Sequence, residues 1–295
     1  VGAVGVRLQP LVDAMRQELL GCGVLHADET PVAQLDPGAG KTRRTYLFAY
    51  RTASEGPPIV IFDYCTSRSG QHAGAFLEDW EGALMVDDYA GYKALFKSGI
   101  TELGCWAHAR RKFFDLHKAN KSEIAAEALQ RIAALYRIEQ QAREMSVEDR
   151  HAHRQGHARP LVDALFEWLI KLRPTIAGNS GTANAIDYTL RRTAALHRYL
   201  DDGRYPIDNN AIENAIRPIA LGRKNWLFAG SETAGKRAAA IMSLLATAKA
   251  NGHCPHAWLT DVLTRLPTTL DKHIGELLPH RWVLNREAGQ PAASR

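Results

Sequence analysis

Asp28 and Asp87 each close a short apolar run, VLHAD at 24–28 and GALMVDD at 82–88, and Glu213 lies in IDNNAIENAIRP at 207–218. Two acids at strand ends and a third on a helix suit phosphoryl transfer on a polynucleotide. That chemistry asks little covalent help of a protein; it needs divalent cations held by a few carboxylates, water and phosphate oxygens. In a two-metal site the ions sit roughly 3.5–4 Å apart and act on the attacking and leaving oxygens. The expected cofactor is Mg2+, two ions, with Mn2+ as a substitute. Each acid also has an ordinary explanation. A strand-end Asp often serves a turn, Asp88 could N-cap a helix from Ala90, and Asn210-Ala-Ile-Glu213 fits a capping box. The combination, more than any single residue, points to chemistry.

The elements that would position these acids follow from periodicity. Residues 7–20 predict an amphipathic helix. Strands are expected at 24–28, 45–52 and 58–66, joined by the turn residues of PGAGKTRR and SEGPP, which suits an antiparallel meander. Asp28 is expected to end the first strand. A helix over 70–80, a strand over 82–88, a helix over 90–99 ending at Gly99, a fifth strand over 101–109 and a helix from 109 come next. From 120 to 200 only helical spacing occurs, at 122–146, 158–173 and 182–200. The predicted fold class is α/β: a mixed sheet with helices on both faces, interrupted by an all-helical insertion. By analogy this is the ribonuclease H-like arrangement, in which the first and fourth strands lie side by side. The expected divisions are an N-terminal helix at 1–23, a first part of the catalytic domain at 24–119, the insertion at 120–200, a second catalytic part with the glutamate at 201–250 and a helical tail at 251–295. The chain opens on Val1 and reads as a fragment lacking an upstream domain.

Composition sets outer bounds. With 45% hydrophobic and 23% charged residues, the chain is an ordinary globular sequence. No apolar run reaches the length of about eighteen residues that would span a bilayer, and no signal peptide opens it. Four scattered cysteines, Cys22, Cys65, Cys105 and Cys254, argue against a disulfide framework and fit a reducing, cytoplasmic setting. A net charge of +5 permits a polyanionic partner without requiring one.

Five stretches carry a resemblance: HADETPV (26–32), MVDDYAGY (85–92), CWAHARRKF (105–113), PIDNNAIENAIRPIALGRKNWLFAGS (206–231) and NGHCPHAWLTDVLTRLP (251–267). In this order, over nearly the whole chain, they resemble the transposases of the insertion sequence 66 family of bacterial mobile elements. The resemblance implies a ribonuclease H-like catalytic domain of the DDE type. Its acids would fall on Asp28, Asp87 and Glu213, as catalytic residues and metal ligands. Asp87 and Asp88 point to opposite faces in strand alternation, so only one can join Asp28; the resemblance selects Asp87. The implied reaction is cleavage of phosphodiesters at element ends, then joining of the 3′ hydroxyl to target DNA. Expected partners are DNA, further copies of the chain on DNA, and companion proteins of the same element. The same acids would also serve a nuclease without strand transfer, and a decayed element could leave a DNA-binding remnant without catalysis.

Around the acids, Arg110, Arg111, Lys112, Arg217, Arg223 and Lys224 are candidate phosphate contacts. Trp226 could stack on a base, with core packing the alternative. Cys105-Trp-Ala-His108 resembles a cysteine-x-x-histidine signature of several DDE transposases; two local ligands do not complete a zinc site, and a structural role is the expectation. The GAGKT of 38–42 lacks the first glycine of a phosphate-binding loop, Leu35 standing there, and precedes a predicted strand. The clusters His151, His153, His157 and His253, Cys254, His256 are read as polar turns.

Overall fold

The computed structural model describes residues 2–53, 56–226 and 228–283. Helices α1 (Gly2–Arg7) and α2 (Gln9–Leu20) precede a long hairpin of β1 (Val24–Asp36) and β2 (Lys41–Thr52), followed by β3 (Val60–Cys65). Helix α3 (Gly70–Leu77), β4 (Ala83–Val86) and β5 (Thr101–Gly104) complete the sheet. Helices α4 (Trp106–Asn120), α5 (Glu123–Gln141), α6 (Val147–His153), α7 (Arg159–Leu172), α8 (Gly181–Arg191) and α9 (Thr193–His197) form a helical region. The chain then returns to the sheet with α10 (Asn210–Trp226) and α11 (Glu232–Ala250), and ends in α12 (Pro255–Arg265) and short 3-10 turns.

The five strands make one mixed sheet in the order β3-β2-β1-β4-β5. The β1–β2 and β2–β3 pairs are antiparallel, and β1–β4 and β4–β5 are parallel. Strand alternation sends Leu25, Ala27, Phe48 and Tyr50 into a core with α2, α3 and α12, where Leu11, Met15, Leu77 and Trp258 are buried. Val32, Leu47 and Ala49 pack on the other face against Ile212 and Ile216 of α10. Helix α11 runs along the β3 edge. The Thr247 hydroxyl accepts from the Val60 N–H at 3.0 Å and the Ser243 hydroxyl from the Phe62 N–H at 2.8 Å, so this edge is blocked against further pairing. The helix comes this close because Gly235 lies on the Tyr64 ring, where a Cβ would sit 2.4 Å from ring carbon.

The helical region has its own core of Trp106, Phe113, Ile132, Leu135, Val162, Leu165, Leu169, Ile186 and Tyr199. Arg154, 2% exposed, is set in it with full compensation: Glu139 at 2.6 Å and the carbonyls of Tyr199, Asp202 and Tyr205 at 2.7–2.9 Å. Helix α4 contributes Trp106, Ala109 and Phe113 to this core, and the Trp106 indole N–H donates to the Leu196 carbonyl at 2.9 Å.

Four expectations need correction. Asp28 does not end β1; the strand continues to Asp36, paired with β2 throughout. Only the parallel pairing with β4 stops early, at His26–Met85. The fifth strand stops at Gly104, because Cys105 turns the chain into α4. Residues 90–99 form two 3-10 turns, Ala90–Tyr92 and Leu95–Lys97, before Gly99 at φ 112°. The expected helix over 182–200 breaks at Arg192, whose guanidinium is drawn toward the sheet. The GAGKT stretch is a hairpin turn with Gly38 and Gly40 at φ 86° and 65°, running into β2 as predicted.

Candidate functional site

His26 is level with Met85 across the parallel pair, and the same register carried two residues further sets Asp28 level with Asp87. Here β1 outruns β4, so both acids lie beside a strand end. The Asp28 carboxylate accepts from the Glu29 N–H at 2.8 Å, and that of Asp87 from the Tyr89 N–H at 2.8 Å. Burial pushes the Asp28 carboxyl up to about 7, and the charges of Glu29, Asp87 and Glu213 push the same way. Three like charges are thus gathered around a half-buried acid.

Glu213 reaches this group from the first turn of α10. Its Oε1 is buried without a hydrogen-bond partner, 3.7 Å from His108 Nδ1, while Arg111 lies 3.5 Å from Oε2. The capping box offered as the ordinary explanation of Glu213 does not form. Asn210 is the first helical residue and donates to Asp208, while the Asn209 carbonyl receives the Glu213 N–H at 3.2 Å. The Glu213 side chain is left free to face His108.

Asp87 and Asp88 part as alternation requires. Asp88 lies 2.7 Å from Arg192, whose other nitrogen is 3.0 Å from Glu102. This pair ties the helical region to the sheet and removes Asp88 from the acid group. Asp88 caps no helix.

Several organising residues were not singled out from sequence. Asn209 is fully buried. Its side chain donates to the Ala27 carbonyl at 2.9 Å and meets His26 Nδ1 at 2.8 Å, and its N–H points at Cys105 Sγ at 3.2 Å. It therefore links β1 beside Asp28, the entry to α4 and the start of α10. Burial drives the His26 imidazole down to about 4, which keeps the ring neutral. Glu29, with a 2% exposed side chain, pairs with Arg68 and receives the Tyr92 hydroxyl at 2.9 Å. The Asp87–Tyr92 turn is pressed on the start of α3, where a Cβ on Gly70 would lie 2.0 Å from the Gly91 carbonyl oxygen. The signals were faint: an Asn four residues before Glu213, and a second acid beside Asp28.

Of the candidate DNA contacts, Arg110, Arg111, Lys112 and Arg217 are exposed. Arg110 and Arg111 line a cleft with Ala107, Phe114, Tyr136 and Asn210 beside Glu213. Lys112 lies over the Tyr188 ring, 5.2 Å from its centre. Arg223 is turned inward and donates to the Pro31 carbonyl at 2.6 Å. The side chains of Lys224 and Trp226 lie outside the described residues.

Among the described residues, Cys105, His108 and Glu213 form a group with metal-ligand atoms all within 4.8 Å of one another. Burial raises the Cys105 thiol to about 12 and lowers His108, against the opposing pull of Glu213 and Asp87. His151 and His153 lie on α6, a helix where a polar turn was expected, and the His153 and His157 rings are 4.5 Å apart. No helix among the described residues is long and apolar enough to cross a membrane.

Comparison with known proteins agrees with the resemblance. Residues 1–237 match the family model described as "Transposase IS66 family", and residues 243–280 match "IS66 C-terminal element". Three Sinorhizobium fredii proteins are similar: "Uncharacterized protein y4qI" at 39% identity over 90% of this chain, "Uncharacterized protein y4hP" at 35% over 96%, and "Uncharacterized protein y4jD" at 36% over 97%. The chain spans 52%, 55% and 58% of their respective lengths. No solved structure matches the chain significantly. By the extent of the family match, the chain belongs to the IS66 family of transposases.

Proposed function

We propose that the chain is the catalytic part of a metal-dependent DDE transposase with a ribonuclease H-like fold, cutting DNA at element ends and joining the 3′ hydroxyl to target DNA. The observation that carries this reading is a concentration of negative charge that the exposed Arg111 balances only in part. Asp28 is raised to about 7 beside Asp87 and Glu213, and Glu213 Oε1 is buried without a partner. Such a group fits a cation, and family membership makes DNA the substrate class. The strand order and the helices on both faces support the fold analogy.

Asp28, Asp87 and Glu213 would hold Mg2+, as two ions, with Mn2+ able to substitute. When bound, these cations activate the attacking oxygen and stabilise the leaving one. The rest falls to the chain. Asp88 stays with Arg192, so Asp87 is the acid that faces Asp28. Asn209 fixes α10 against β1. Arg110, Arg111, Lys112 and Arg217 present positive charge to phosphates, with Arg223 and Lys224 nearby on α10. DNA ends and target, further copies of the chain and companion proteins of the element are the proposed partners, in the cytoplasm at the nucleoid.

The test is a cleavage and joining assay on element-end DNA with Mg2+ or Mn2+. Loss of both steps in Asp28→Asn, Asp87→Asn and Glu213→Gln, with Asp88→Asn active, is the expected result. Cleavage by the parent without joining of pre-cut ends would make the chain a nuclease. Amide variants that still cut would overturn the assignment.

A further inference from the structure

We propose that Cys105, His108 and Glu213 form a second site, for a borderline-soft divalent cation such as zinc. The case rests on geometry. Cys105 is the residue before α4 and His108 lies in its first turn, so the helix brings the thiol and imidazole together. Glu213 enters from α10, and the three donor atoms lie within 4.8 Å of one another. A tetrahedral zinc with bonds of about 2.0–2.3 Å needs donors roughly 3.3–3.8 Å apart. His108 Nδ1 and Glu213 Oε1 already stand at 3.7 Å. Both atoms are buried without a hydrogen-bond partner, so each can take a ligand without losing a bond.

Binding would release the Cys105 thiol proton, and one contact would support the thiolate that remains. The Asn209 N–H points at Cys105 Sγ at 3.2 Å, a supporting hydrogen bond of the kind that orients metal ligands. Arg111 approaches the other carboxylate oxygen, Oε2, and leaves Oε1 to the site. The cation would arrive from the side of His108 and Glu213, whose side chains are 22% and 21% exposed. Donor type separates this site from the acid group. Sulfur and imidazole favour zinc, whereas carboxylate oxygens and water favour magnesium. Glu213 belongs to both sets. The site does not rest on the catalytic reading.

Cobalt(II) is the probe, because cobalt–thiolate bonds absorb in the near ultraviolet and four-coordinate cobalt absorbs in the visible. Titration of the chain should give both bands, saturating at one equivalent and erased by zinc. Cys105→Ser, which keeps an acceptor for the Asn209 N–H, should lose the near-ultraviolet band. His108→Ala should weaken binding roughly 10-fold or more, and Asp28→Asn should leave the spectrum intact. Absence of a thiolate band, or a band that survives in Cys105→Ser, overturns the proposal. The spectrum reads the cation and not DNA cleavage. A failed site therefore leaves the cleavage reading standing, and acid variants that still cut DNA would remove that reading while the cobalt bands remained.

Discussion

The helical region and the open end of the sheet both bury charge, and they treat it in opposite ways. Arg154, between α6 and α7, is met by Glu139 and three backbone carbonyls. Arg192, at the join of the two regions, is met by Asp88 and Glu102. At the sheet end, the charges of Asp87 and Glu213 act on Asp28, with Arg111 and His108 beside Glu213 as counter-groups. A buried charge with its partners in place holds structure together. A buried charge lacking them is where the proposed cation would bind.

The sharpest way to break this contrast is to neutralise one charge in each region. Asp28→Asn should lower metal-dependent cleavage by more than the roughly 100-fold typical of a residue that only supports a metal ligand. It should also raise the thermal midpoint of the metal-free chain at neutral pH, because a like-charge repulsion is gone. A fall in both would mean that Asp28 is structural. Arg154→Met should do the reverse. Leaving Glu139 buried and unpaired costs about 3–5 kcal/mol, read by urea denaturation, and Glu139→Gln added to it should restore part of the stability.

Asn209 tests whether the sheet end is held from behind. Asn209→Ala removes two buried side-chain bonds and strands the Ala27 carbonyl, for about 1–3 kcal/mol. Because Asn209 supports the acid group from behind, the change should also weaken Mn2+ binding by roughly 10–100-fold, measured by electron paramagnetic resonance. Destabilisation with unchanged Mn2+ affinity would reduce Asn209 to a packing residue.

A pH series sharpens the comparison further. The folded chain holds a proton on Asp28 up to about 7, whereas an unfolded Asp releases it near about 3.9. Asp28 therefore weakens the metal-free fold as pH rises through that window. His26 acts in the opposite sense. Lowered to about 4 from 6.5, it contributes stability that is lost as pH falls between those values. The two slopes offset one another; Glu29, also raised by burial, acts with Asp28, and His108, also lowered by burial, acts with His26. Asp28→Asn removes part of one slope, so its stability should drop more than the parent's on acidification below about pH 6.5. Denaturation curves at several pH values decide this; a variant whose slope matches the parent's overturns it.

The smallest effect belongs to the exposed basic residues. Arg110→Ala or Arg217→Ala should weaken DNA binding a few-fold and lower the slope of log affinity against log salt by about 0.9 for each phosphate no longer neutralised. Arg223→Ala should act on stability instead, since its guanidinium is bound to the Pro31 carbonyl.

Local pattern determined much of this molecule. Apolar runs marked the five strands, and four-residue spacing marked α2, α5, α7 and α10, because burying one face of a strand or helix needs only the residues of that element. The extension of β1 past Asp28 was hidden, since Thr30 and Gln34 read as polar. Both are buried, and Gln34 is satisfied by the Tyr64 hydroxyl from another strand. The types and order of the acids were likewise written in the sequence. Which of them act on one another's charge was decided by tertiary structure. Arg192, more than a hundred residues on, takes Asp88 and leaves Asp87 to Asp28. Asn209 sets α10 against β1, and α4 turns His108 toward Glu213. Ionisation and charge pairing depend on burial and on neighbours distant in sequence, and neither exists until the chain has folded.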